Sequence, residues 1–405
     1  MTTSNLQSSF EREEDRFAGR FISASVGMTS VTYGIGRYAF GLFIPEVRHN
    51  FGAATADLGI IASFSSFGYL LACLLSSYLA GRAEPRSCVI VAGIVTTLGL
   101  AIVGIAANVL QVAIGVVLAG IGAGIYGPAS IECIYVSLPS RRRIQALSAV
   151  NAGATPGLII TGLIAFALPS QWQLVWLVMA SLAALVTLWN SKVIKSRILV
   201  ERTLGPRIAR AEHAYGPSTL SRVLSLDFAA LCSTICVYGL LYKAYLTFAV
   251  DLLVSFGGLR FPYDRLFWVT LGVAGVPTIF VGPLISRFGV RGILTMTIPV
   301  CGLSCAMLGL APNSGPDVIL SAALFGVSSI APGSALLVWS LRIFCDRPAT
   351  ASGAAMFCFA AAIIVTPLIY AMLVPWMTAR AFFIGLLVLS LIVVPLFPQN
   401  LFDVQ

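Results

Sequence analysis

Charge is what this sequence has least of. Asp, Glu, Lys and Arg make up 10% of its 405 residues, against about 25% in soluble domains. That excludes an ordinary soluble enzyme, a disordered chain and a secreted disulfide scaffold. Histidine is nearly absent too. His49 and His213 are the only two and both fall in loop-like stretches, so no His-built metal site is expected. The nine cysteines include no Cys-x-x-Cys pair. Cys232/Cys236 and Cys301/Cys305 lie four apart inside apolar runs, where a free cysteine packs as a small hydrophobe. No Gly-x-x-x-x-Gly-Lys-Ser/Thr loop occurs, so nothing here would grip a nucleotide. No nucleophile–base constellation is visible either. An enzyme, a cofactor and a metal are all unexpected.

What is present is apolar. Hydrophobic residues make up 58% of the chain, and the mean hydropathy is +0.93. A spanning helix takes about 20 apolar residues. Such stretches fall at about 21–44, 58–80, 87–107, 110–131, 145–168, 173–190, 227–249, 266–285, 292–311, 317–341, 350–373 and 381–397. They are continuous rather than alternating, which excludes a membrane β-barrel. The expected fold is an all-α membrane protein of twelve transmembrane helices in two six-helix pseudo-repeats. It divides into an N-terminal segment (1–20) without a cleavable signal, a six-helix domain (21–190), a connector (191–226), a second six-helix domain (227–397) and a short tail (398–405).

The net charge is +9. In a soluble chain that would raise nucleic acid as a partner; in a membrane chain, cations collect in cytoplasmic loops. With the N-terminus inside, nineteen of the 25 Lys and Arg residues face the cytoplasm, seven of them in the connector. Only Arg48, Arg260, Arg265 and Arg380 face outward. Both termini are therefore expected inside.

Shifting the chain by 205 residues aligns it with itself. Tyr33-Gly34 meets Tyr238-Gly239, Glu46 meets Asp251, Phe51-Gly52 meets Phe256-Gly257, Arg82 and Arg86 meet Arg287 and Arg291, and Asn108 meets Asn313. One register holding through loops as well as helices means two halves of one fold. Transporters are commonly built this way, with the substrate near midplane between the repeats.

The run Gly282-Pro-Leu-Ile-Ser-Arg287-Phe-Gly289-Val-Arg291 resembles the loop signature of the major facilitator superfamily, Gly-x-Leu-x-Asp-Arg-x-Gly-x-Arg. Ser286 replaces the acid. A degenerate first copy keeps Arg82 and Arg86 but has Gly81 in the acidic place. The resemblance implies the fold of that superfamily, and a gating role for Arg82, Arg86, Gly282, Arg287, Gly289 and Arg291. Loop cations of this kind would act on neighbouring helix ends. The opening run Tyr33-Gly-Ile-Gly-Arg37-Tyr-Ala-Phe resembles the YbfB/YjiJ-like branch. Relatives often carry Arg four residues before the position of Gly120; here it is Val116. That implies Arg37 as the replacement cation.

Charges at membrane depth cost at least ~2.5–3.5 kcal/mol on insertion scales and default to function. Arg37 and Lys243 lie at similar depths in spans 1 and 7, among Tyr33, Tyr38, Tyr238 and Tyr242. These six residues are the expected substrate site, a positive aromatic pocket for an organic anion. The alternatives are that either cation snorkels, pairs with Glu46 or Asp251, or locks the two domains together. Strict register sets Arg37 against Tyr242, which turns Lys243 about 100° away. Glu132, near the inner end of span 4, is the candidate for proton coupling, or else an acid paired with a loop Arg.

The expected activity is secondary transport of a small organic anion by alternating access, with a proton or counter-anion as coupling partner. The alternative is a proton-coupled exporter of drugs or metabolites. The expected partners are that small molecule and the lipid bilayer, with no nucleic acid, and the expected state is a monomer.

Overall fold

In a bilayer every backbone N–H and C=O must be satisfied within the chain, so the apolar stretches wind into helices. The computed structural model describes residues 3–79, 83–194, 225–255, 258–259, 262–343 and 348–398. Arg82 and most of the connector (195–224) lie outside the described residues, and so do Arg260, Arg347 and most of the tail (399–405). The helices are α1 Thr3–Thr29, α2 Phe40–Phe51, α3 Thr55–Leu79, α4 Pro85–Gly104, α5 Val109–Ser137, α6 Ser140–Ala152, α7 Ala154–Ala167 and α8 Trp172–Val193. The second half contributes α9 Leu226–Ser255, α10 Tyr263–Gly275, α11 Val281–Leu310, α12 Gly315–Ser328, α13 Ala331–Ile343, α14 Pro348–Leu373 and α15 Ala379–Ile392.

Ten stretches of the described residues are long and apolar enough to cross a membrane, two of them across a short break between α-helices: Ala149–Ala167 joins α6 to α7 and Gly315–Ser340 joins α12 to α13. The other two of the twelve spans are interrupted more strongly, each for a visible reason. Span 1 is α1, a π-helical segment Ser30–Arg37, and α2. Span 8 is α10, a 3-10 turn Val276–Phe280 that starts with Val-Pro, and the first residues of α11. Helix α1 begins at Thr3, so the charged N-terminal segment extends span 1 instead of forming a separate element.

Within the first half, α4 packs on α5 and α8, and α5 on α3. Between the halves, α2 packs on α9, α3 on α14 and α7 on α10. These are spans 1 with 7, 2 with 11 and 5 with 8. The repeat exchanges the last two pairs, so the interface obeys the same two-fold relation that the 205-residue shift shows. Backbones come very close at the α2–α9 crossing, where a Cβ on Gly41 would run into the Leu246 carbonyl. Small residues permit such approach.

The loop motif acts first on backbone geometry. Gly289 has φ 69° and ψ 172° inside α11, a region open essentially to glycine alone. It turns the chain from span 8 into span 9. Gly289→Ala is expected to cost about 1–3 kcal/mol, read as a lower midpoint of thermal unfolding in detergent. An unshifted midpoint would mean that the turn relaxes without strain.

Candidate functional site

Span 1 carries Arg37 at the end of its π-helical segment, among Gly34 and Gly36. A π segment advances less per residue than an α-helix, and such segments occur frequently at functional sites. It therefore changes the rotational phase that strict repeat register assumes. The consequence corrects the sequence reading: Arg37 and Lys243 are not turned apart. Both line one small cavity between the halves, with Tyr38, Ser65, Val116, Leu246 and Thr247. Val116, where relatives often have Arg, is part of that same wall.

The guanidinium of Arg37 is held by rings. Its Cζ lies 3.7 Å from the ring centre of Tyr69, and 5.6 Å from those of Tyr33 and Tyr38. Cation–π contacts strengthen when desolvated. The Tyr33 and Tyr69 hydroxyls are 3.4 Å apart. Tyr69 was missed from sequence, although a signal existed. Span 2 carries Ser63, Ser65, Ser66, Tyr69 and Ser76, all buried, and polar residues within a span face the bundle interior.

The other expected tyrosines divide. Tyr38 and Tyr242 meet edge to face at 5.9 Å, and both line a second cavity with Thr155, Leu158, Leu246, Leu271, Ser329 and Ile330. Tyr238 lines neither. Its hydroxyl donates to the Ser329 carbonyl at 2.6 Å and its ring stacks on Phe359, so it props Tyr242 from behind.

The acids near the outer helix ends are engaged elsewhere. Asp251, 1% exposed, accepts both arms of Arg48, Nη1 to Oδ1 at 2.6 Å and Nη2 to Oδ2 at 3.0 Å. Glu46 takes Arg265. Each pair crosses between the halves, and the two acids are repeat equivalents. Sequence puts Arg48 and Arg265 on the outward-facing side, where exposure would be ordinary. They are partly and almost fully buried instead, because each meets an acid some 200 residues away. Neither Arg37 nor Lys243 has an ion pair among the described residues.

Glu132 does not reach either cavity. It stands at the inner end of α5 within electrostatic reach of Cys88 and Cys133, away from Arg37. Of the gating candidates, Arg86 donates to the Ser191 carbonyl at 2.8 Å, in the last turn of α8, where the helix dipole favours a cation. That is a neighbouring helix end inside the same half. Arg287 lies over the ring of Phe288. Both Arg287 and Arg291 are exposed. Gly282 lies in the first turn of α11. No cluster of His, Cys, Asp and Glu that could hold a metal occurs among the described residues.

Residues 26–367 match the sequence model of the Major Facilitator Superfamily. No curated protein matches the chain. Solved structures with the same fold include a bacterial homolog of the human lysosomal transporter Spinster, in an inward-facing and unoccupied conformation. It has TM-score 0.72 and 14% identity, covering 94% of this chain and 96% of that one. The nucleoside transporter NupG aligns with TM-score 0.72 and 14% identity over 95% and 100% of the two chains. A POT family transporter in complex with 5-aminolevulinic acid aligns with TM-score 0.70 and 13% identity over 94% and 95%.

Proposed function

Because the chain belongs to the major facilitator superfamily, and so is a multi-pass secondary transporter, we propose that it moves a small organic anion by alternating access. The membrane would be the bacterial inner membrane, with both termini in the cytoplasm. One observation carries the substrate class. Glu46 and Asp251, the acids available to the embedded cations, are each taken by another arginine. Arg37 and Lys243 are left in one cavity with no acid on its wall. Two desolvated cations without a counter-charge are costly, and an anionic substrate would supply it. Arg37 would hold the anion with paired hydrogen bonds and Lys243 would act as a point charge. Tyr33, Tyr38 and Tyr69 would keep the guanidinium in place.

An exporter of cationic drugs would need an embedded acid, and neither cavity has one. Glu132 remains a coupling candidate only at a distance, and a counter-anion fits the two cations better than a proton does. The run ending in Arg37 supports the YbfB/YjiJ-like branch. The test is uptake of a panel of labelled carboxylates into proteoliposomes, with and without a pH gradient. Accumulation of at least one carboxylate, competed by unlabelled anion but not by its neutral amide, is expected. Uptake of cationic drugs alone would overturn the reading.

A further inference from the structure

The two cavities between the halves differ in chemistry and share a wall. Tyr38 and Leu246 line both, and Tyr38 meets Tyr242, which lines the second, edge to face. On one side are Arg37 and Lys243. On the other, the side chains are Leu158 of α7, Leu271 of α10, and Ile330 beyond the end of α12, with Thr155 and Ser329 as the only hydroxyls besides tyrosine. No charged residue lines that second side. Both halves contribute to it, as they do to the cationic side. Each space is now little larger than a water molecule. The chemistry of the walls is set before the volume is.

Resting on the anion reading above, we propose that the substrate is an amphipathic monoanion. Its single anionic head would sit at Arg37 and Lys243, and an uncharged, mostly apolar body would pass the Tyr38–Tyr242 pair to lie against Leu158, Leu271 and Ile330. A dicarboxylate or a sugar phosphate would direct charge or hydroxyls at those three side chains and leave them unsatisfied. That is worth roughly tenfold or more in affinity for each such group. A body of methylenes instead gains about fourfold for each one buried.

The experiment measures binding of acetate, butanoate and hexanoate to the purified full-length protein by ligand-dependent thermal stabilisation. Succinate and hexanamide are the controls. Affinity is expected to rise about fourfold per methylene up to hexanoate, with succinate weaker than butanoate and hexanamide silent. A Cβ at Gly275 would stand 3.3 Å from Thr155 Cγ2, so Gly275→Ala should narrow the second cavity and reduce the gain per methylene. Ile330→Ala should widen it and let octanoate continue the series. One variant that flattens the series and another that extends it cannot both be explained by loss of folding. If acetate binds through Arg37 but affinity is flat with chain length, the amphipathic substrate is wrong and the anion site stands. If hexanamide binds as well as hexanoate, the second cavity is an apolar site unconnected with the cations. If no carboxylate binding depends on Arg37, the anion reading falls and this inference with it.

Discussion

Arg37→Ala is expected to abolish anion-dependent stabilisation and to reduce transport to background, while the protein stays folded and monodisperse in detergent. Losing one charge-assisted hydrogen bond costs roughly 1.5–3 kcal/mol, about 10- to 150-fold in affinity. Arg37 would make two. Arg37→Lys keeps the charge but loses the planar fork, so it should weaken binding without removing it. A structural role would look different. The guanidinium contacts Tyr33, Tyr38 and Tyr69 and no acid. Removing it therefore strands no buried counter-charge, and the fold has little reason to fail. A ligand stabilises only the state that binds it. If Arg37→Ala is stabilised by the same carboxylate at wild-type concentrations, Arg37 is not the ligand and the anion reading has lost its support.

Arg48→Ala should open the outer end of the transporter. Asp251 is 1% exposed and is satisfied by both arms of Arg48 and by Ser255 at 3.0 Å. Removing one partner of a buried pair costs about 3–5 kcal/mol, because the other charge stays buried. That cost falls only on the conformation in which spans 1 and 7 are closed at this end. The equilibrium should shift toward the outward-open state by about 150-fold or more. The second latch cannot compensate fully. Arg265 also bridges Asp264 at 3.0 Å, but Glu46 Oε2 is buried without a hydrogen-bond partner among the described residues, so Glu46 is less well satisfied than Asp251. The readout is labelling of Thr247→Cys by an impermeant thiol reagent from outside, in a background without native cysteines. Thr247 lines the cationic cavity and is buried when the outer end is closed. Labelling should rise sharply in Arg48→Ala. It should fall back when Arg48→Asp is combined with Asp251→Arg. Unchanged labelling would mean that the pair does not hold the gate.

The fold was largely legible. Twelve apolar stretches, a basic connector and a 205-residue self-match are local or sequential patterns, and each reports directly on what a bilayer demands of a chain. The interrupted spans were not legible. A π-helical segment at Ser30–Arg37 depends on how Gly34 and Gly36 seat against their neighbours: a Cβ on Gly34 would lie 2.6 Å from the Gly157 Cα of α7, across the first half. The site was half legible. Arg37, Tyr38 and Lys243 line one cavity, and Tyr242 lines the neighbouring one. Tyr238 is behind the wall, Glu132 is elsewhere, and Tyr69, the ring nearest to Arg37, went unnoticed because serines and a tyrosine in span 2 carry no charge to draw attention.

By itself the sequence determined that this is a twelve-span repeat protein with two cations at membrane depth. Hydropathy and charge are properties of the residues in order, and a bilayer reads them in order. Which charges remain unpaired was decided only in the tertiary structure. Arg37, Arg48, Lys243 and Arg265 share spans 1, 7 and 8 with Glu46, Asp251 and Asp264, and composition would allow any of these cations to take any of these acids. The packing of α2 on α9 and the burial of α10 bring Arg48 to Asp251 and Arg265 to Glu46, over sequence separations of 203 and 219 residues. Arg37 and Lys243 face each other across a cavity because rotation within a span depends on helix winding and on contacts with distant helices, and no local pattern in the chain encodes either.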